Sequence, residues 1–258
     1  EQALQLSADY WHETREEIRN RLGEDLYVMA QCAAAGDQSP HLVGRQATSP
    51  DRVAGKENPE TRMWRLTGRS QREEIANRIA DGIECCLPHM EKERFADPVI
   101  KHAAETVDIS RAHINPEDVE NARQKAEEWR ERYKNMRQEL EANPGKRKTE
   151  HWYMPVTRAF RRMKWYEGVE KRYELRKEQP EVPLEIHVVR IGDVAFATNP
   201  FEYYLDFGMR IQARSKATQT FIVQLAGSGS YVPTERAMAS GSYGAVPAST
   251  PVGPEGGR

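Results

Sequence analysis

The chain has 258 residues, 38% of them hydrophobic and 30% charged, enough for one large domain or two small ones with a sizeable core. Thirty-eight Lys and Arg against 40 Asp and Glu leave a formal charge of −2, which argues against a general nucleic-acid binder with a clustered basic excess. No apolar run approaches the roughly 18 residues that a membrane span needs, and so high a charged fraction predicts solvent-exposed helix.

Glu1 to Leu6 holds neither an initiator Met nor a signal peptide, and Gly253 to Arg258 reads as a loop cut in mid-course, so a fragment of a longer protein is expected. Ser7-Ala8-Asp9-Tyr10-Trp11 opens a helix that runs to Leu22, with Ser7 as N-cap and Gly23 as the stop. The short apolar run Leu26-Tyr27-Val28-Met29-Ala30 reads as a buried strand. Ala33-Ala34-Ala35-Gly36-Asp37-Gln38-Ser39-Pro40 follows as a tight turn that would lift the Ser39 hydroxyl to the rim of a sheet. Gly-Asp and Ser-Pro are also ordinary turn dipeptides, so the residues alone leave a plain bend open. Asp37 can orient Ser39 or cap the following turn, and the structural role is the one expected, because Asp readily bonds to backbone two residues on.

Residues 46–59 turn to Ser, Pro, Gly, Asp and Lys and predict an irregular loop. Ser70-Gln71-Arg72-Glu73 has the form of a capping box, and Ile75, Ile79, Ile83 and Leu87 keep helical spacing as far as Pro88. Cys85 and Cys86 fall in that helix as structural residues. With Cys32 they make an odd, non-metal-spaced set, which argues against a complete disulfide framework. Residues 100–114 alternate as a strand. Asn115-Pro116-Glu117-Asp118 starts a very polar helix to about Ala142, Asn143-Pro144-Gly145 breaks it, and a second charged helix covers 152–179. The pair predicts a charged helical hairpin over 115–180, either a lid, an interaction arm or a solvated insertion.

Over the last third, strands and helices alternate: Leu184–Ile191, a Gly192-Asp193 turn, Val194–Thr198, a helix from Asn199-Pro200-Phe201-Glu202 to Arg214, then Thr220–Leu225. This predicts an α/β fold of mixed sheets flanked by helices. Glu202 falls just past a strand at the start of a helix, where carboxylates are favoured. Phe201, Tyr203 and Tyr204 can line an apolar rim or pack the core.

Three segments in order carry a resemblance: Ala35-Gly36-Asp37-Gln38-Ser39-Pro40; Ile191-Gly192-Asp193-Val194-Ala195 with Asn199-Pro200-Phe201-Glu202; and Gly229-Ser230-Tyr231-Val232-Pro233-Thr234 with Ser240-Gly241-Ser242-Tyr243. Over most of its length the chain resembles the catalytic domain of neutral (non-lysosomal) ceramidases and their bacterial relatives. The resemblance implies a partial catalytic domain over 1–258 whose upstream half is missing. It implies Ser39 as the active-site serine, and Glu202 and Tyr243 as zinc ligands, with two histidine ligands supplied from the missing half. A secreted or periplasmic protein of lipid or sphingolipid metabolism would follow.

The implied chemistry is zinc-dependent hydrolysis of the amide bond of ceramide or a related N-acyl substrate. Access at a membrane surface is possible to such a site, with no transmembrane segment and no nucleic acid as partner. A hydrolytic zinc site keeps one position open for water beside about three protein ligands, so a chain contributing only two of them is expected to be inactive alone. The serine turn reads Asp-Gln-Ser-Pro-His where characterised ceramidases commonly have Asp-Val-Ser-Pro-Asn, which widens the expected substrate beyond ceramide. The alternative is a non-catalytic binding protein on the same scaffold, acting through the charged hairpin.

Overall fold

A computed structural model describes residues 8–38, 68–92 and 94–257. Two compact units divide the chain, one made of Glu1–Gln31 and Ser39–Val99, the other of Cys32–Gln38 and Ile100–Arg258. The described part of the first unit is helical. Its helix α1 (Tyr10–Leu22) is capped by Asp9, whose carboxylate accepts from the Tyr10 amide at 2.8 Å, and it stops at Gly23. Ser7, expected as the cap, lies outside the described residues, as does the 46–59 loop.

Helix α2 (Gln71–Met90) carries the expected capping box: Ser70 Oγ accepts from the Glu73 amide, and the Glu73 carboxylate accepts from the Ser70 amide at 2.6 Å. It runs two residues past Pro88. Proline at that point costs only bonds of a final turn. Arg21 ties the two helices together, reaching Asp81 at 2.6 Å and Asn77 at 2.5 Å.

Leu26–Ala30 is not a buried strand. Tyr27 is 98% and Met29 74% exposed, and the arginines of α1 occupy carbonyls that a strand ladder would use, Arg15 reaching Val28 O and Arg19 reaching Leu26 O. Cys85 and Cys86 are likewise exposed on α2 rather than packed in a core.

The second unit is built on one mixed sheet. Strands β1 (Ile100–Ser110), β2 (Glu181–Ile191) and β3 (Val194–Thr198) are antiparallel neighbours, and β5 (Gln219–Val223) lies parallel to β3, in the order β1-β2-β3-β5. Ile191 pairs with Val194, so Gly192-Asp193 is the two-residue hairpin turn that the sequence predicts. A second sheet is minimal: β4 (Glu202–Tyr203) runs parallel to β6 (Tyr231–Val232).

Helix α5 (Leu205–Arg214) makes the crossover from β3 to β5. It follows β4 directly, so Glu202 belongs to a short strand and not to the first turn of the helix. Phe207 on α5 and Leu184, Tyr203, Ile222 and Val232 on the strands form the main core. The opposite face of the four-stranded sheet is less covered, with Phe196 stacked on Phe221 at 5.1 Å and Phe221 43% exposed.

Between β1 and β2 the chain leaves as the charged hairpin. Helix α3 (Pro116–Ala142) starts in a box of Asn115 and Asp118, a 3₁₀ turn (Pro144–Lys148) follows, and α4 (Tyr153–Glu178) returns. Val119, Ala122 and Ala126 put an apolar stripe on α3, and at the base Val119, Ala122, Ile114, Val169 and Ala248 form a second core. Arg130 bridges the helices to Glu167 at 2.9 Å, and Arg123 does so to Glu170. Such exposed pairs set register more than stability.

Phe207 is 3% exposed at the centre of the main core. Phe207→Ala is expected to lower unfolding stability by about 3–5 kcal/mol, read as a shift of the urea midpoint with the slope unchanged. A loss below about 1 kcal/mol would mean that this core does not hold the unit together.

Candidate functional site

The parallel pair β3 and β5 ends where Asn199 and Gln224 take over, at the carboxyl ends of strands, the usual place for ligands in α/β sheets. Both side chains serve the backbone. Asn199 Oδ1 accepts from the Phe201 amide at 2.9 Å, and Gln224 Oε1 accepts from the Tyr203 amide at 2.9 Å. Those bonds turn the chain from β3 into β4. The Glu202 amide then donates to Ser230 O at 2.9 Å, placing β6 alongside.

Residues 32–38 lie across this arrangement. Gln224 N donates to Cys32 O at 2.9 Å, and Gly36 N donates to Tyr203 O at 2.8 Å. Gly36 has no room for a side chain, because a Cβ there would stand 2.5 Å from Glu202 O and 3.1 Å from Tyr203 O. Asp37 Oδ1 accepts from the Leu205 amide at 2.8 Å. The N-cap residue of α5, Tyr204, makes no side-chain cap bond, so Asp37 supplies the cap from a distant part of the chain. Asp37 thus takes the structural role expected of it, on a remote helix rather than its own turn. Ser39, two residues on, and His41 lie outside the described residues.

Glu202 and Tyr231 face each other as register partners in the β4–β6 pair, and each shifts the other's titration. Burial raises the Glu202 pKa above the ordinary carboxylate value, against a smaller lowering effect of the neighbouring Tyr231 phenol. Burial and then the negative charge of Glu202 push the Tyr231 phenol up to about 12, so it holds its proton at neutral pH. Among the described residues no cation pairs with Glu202.

Tyr243 stands next to Tyr231, its ring edge-on at 5.9 Å, and is 61% exposed. Trp165 of α4 stacks on Tyr243 at 5.7 Å, and the Arg162 guanidinium lies 5.8 Å from the same ring. Gly244 lets the rings close, since a Cβ there would meet Tyr204 Oη at 2.7 Å and Tyr231 Cγ at 2.9 Å. Tyr204 Oη in turn reaches Ser242 Oγ at 3.1 Å. Phe201, Tyr203 and Tyr204 are 5%, 8% and 5% exposed, so they pack the core and do not form an acyl-binding rim.

The fold therefore brings Glu202 and Tyr243 into one cluster, through Tyr231. The role of Tyr231 was missed from sequence, although it sits in the quoted Gly-Ser-Tyr-Val-Pro-Thr segment; its pairing with Glu202 depends on a two-residue strand that no periodicity announces. A half-buried carboxylate without a cationic partner beside a phenol is an oxygen-donor set that suits part of a zinc shell. It is not a whole shell: among the described residues no group of three His, Cys, Asp or Glu is placed to hold a metal. His102 and His187 do meet, at 3.0 Å across β1 and β2, with Glu185 as the other partner of His187 at 3.0 Å, but they form a pair apart from Glu202 in the hydrogen-bond network.

No family model, curated protein or solved structure matches the chain.

The Glu202 environment sets a pH signature. Its folded pKa lies above the unfolded one, so folding favours the protonated acid, and stability falls as pH rises through the folded value. Glu202→Gln removes that fall. In chelator, the variant is expected to match the parent at about pH 4 and to exceed it in urea midpoint at about pH 7. A constant difference between the two pH values would show that Glu202 ionises in the folded chain as it does in water.

Proposed function

We propose that this chain contributes to the site of a zinc-dependent amidohydrolase acting on ceramide or a related N-acyl substrate. One observation supports the reading above others: the three segments that carry the ceramidase resemblance, far apart in sequence, are neighbours in the fold. The turn at Gly36-Asp37 rests on the backbone of Glu202, and Tyr231 and Tyr243 stand on its other side.

On this reading Glu202 and Tyr243 hold the metal, together with two histidines that the family brings from another part of its domain. Zinc bound there supplies a Lewis acid for the amide carbonyl and an activated water near neutral pH. Water adds to the acyl carbon, the C–N bond breaks, and the amine leaves with a proton. The chain's own residues prepare that step. Tyr231 keeps its proton and faces Glu202 from the neighbouring strand, a neutral phenol beside the carboxylate. Asp37 pins the turn that leads to Ser39, and Ser39 is the hydroxyl that attacks or positions the acyl group.

The second reading, a non-catalytic binding protein on the same scaffold, draws on the charged hairpin. Metal content separates the two. In the protein carrying this chain, zinc is expected at one per molecule, with Glu202→Ala weakening its retention at least about tenfold. Ser39→Ala is expected to keep the zinc and lose at least about 100-fold in turnover of an N-acyl substrate. Zinc content unchanged by Glu202→Ala would overturn the assignment of this site.

A further inference from the structure

The hairpin divides its charge by position. Residues 132–161, the end far from the sheet, hold eight lysines and arginines against three acidic residues, whereas residues 117–131 and 162–178 hold nine against ten. The three acidic residues of the far end are already engaged: Glu141 with Arg137 at 3.3 Å, Glu139 with Lys146, and Glu150 with His151 at 3.0 Å. Arg147, Lys148, Arg158 and Arg161 have no carboxylate partner among the described residues. Arg158 and Arg161 are three residues apart on α4 and so share a face.

Aromatic residues are set among these charges. Arg147 lies 5.8 Å from the Trp152 ring and Arg137 6.0 Å from the Tyr133 ring. Tyr153 is 49% and Phe160 41% exposed. Leu140 and Val156 join Tyr133, Trp152 and Phe160 around a groove of about 300 Å³ at this end. Trp and Tyr rings with cationic side chains beside them suit the boundary between lipid headgroups and acyl chains, where ring faces bury and guanidinium groups reach phosphate.

We propose that the end of the hairpin docks on an anionic phospholipid surface. The proposal rests on the N-acyl lipid reading for its choice of a bilayer as the partner, and it adds the element that reaches it. A nucleic acid would need a basic track that follows its backbone. Here the basic patch is confined to one end, and the acid-leaning stem behind it would repel a continued phosphate chain. Tyr153 stands twelve residues before Trp165 on α4, about 18 Å along the helix at 1.5 Å per residue. Trp165 stacks on Tyr243, so one rigid helix joins the docking end to the candidate site.

Co-sedimentation of the protein carrying this chain with phosphatidylcholine vesicles, with and without phosphatidylglycerol, tests the proposal. Binding is expected only with phosphatidylglycerol, and Arg147→Glu combined with Lys148→Glu is expected to weaken it at least about tenfold. Trp152→Ala should also weaken it, with far-ultraviolet circular dichroism unchanged in both variants. Equal binding of parent and charge-reversed protein, or no binding to either vesicle, would overturn the proposal. So would capture of a single-stranded oligonucleotide by the parent in place of vesicles. The assay involves no turnover and no zinc, so an inactive or metal-free protein that still binds vesicles would remove the amidohydrolase reading and leave the docking end in place.

Discussion

The missing side chain of Gly36 is the constraint on which the site depends. A backbone passing 2.5 Å from where its Cβ would stand cannot tolerate any other residue without moving, and the strand it touches is the one that carries Glu202. Once that contact is made, Asp37 reaches the open end of α5 and the turn is held at two points, by the Tyr203 carbonyl and the Leu205 amide. Glu202 lies within a few residues of those bonds, and Tyr231 faces it from β6. The half-buried carboxylate, the phenol that keeps its proton and the exposed Tyr243 follow from how β4 and β6 pair beside the turn.

The hairpin is fastened to the same region by a different kind of contact. Trp165 and Arg162 pack on Tyr243, and Arg172 donates to Pro247 O at 2.7 Å, four residues beyond that tyrosine. Burial lowers the Arg172 pKa, and its Nε has no hydrogen-bond partner among the described residues. A partly buried guanidinium held this way is costly, and it sits on the same stem whose Val169 joins Ile114 and Ala248 in the second core. The stem of an outwardly solvated helical pair is thus part of the core that frames the candidate site.

What the sequence made legible was mostly local. The capping box at Ser70, the helix start at Asn115, the Gly192-Asp193 turn and the β3 strand need only a few neighbouring residues to be recognised, and the structure has them. Leu26–Ala30 misled because hydrophobicity says that a segment wants burial, not that a partner strand exists. Here the arginines of α1 take its carbonyls instead. Glu202 and Tyr243 were legible only as members of an ordered set of motifs, and Tyr231 was not legible as their intermediary. Its importance comes from facing Glu202 across two very short strands, a relation created by chain crossings rather than by spacing.

The Asp37 contact with Leu205 spans 168 positions along the chain. Loop-closure entropy rises only with the logarithm of length, but contacts this remote are slow to find compared with a two-residue turn or a helical hairpin. The β2–β3 hairpin and the paired helices α3 and α4 can form from neighbouring residues alone. The polar cluster has no such shortcut, and it is complete only after the scaffold around it has been assembled. Order of assembly therefore places the chemistry last.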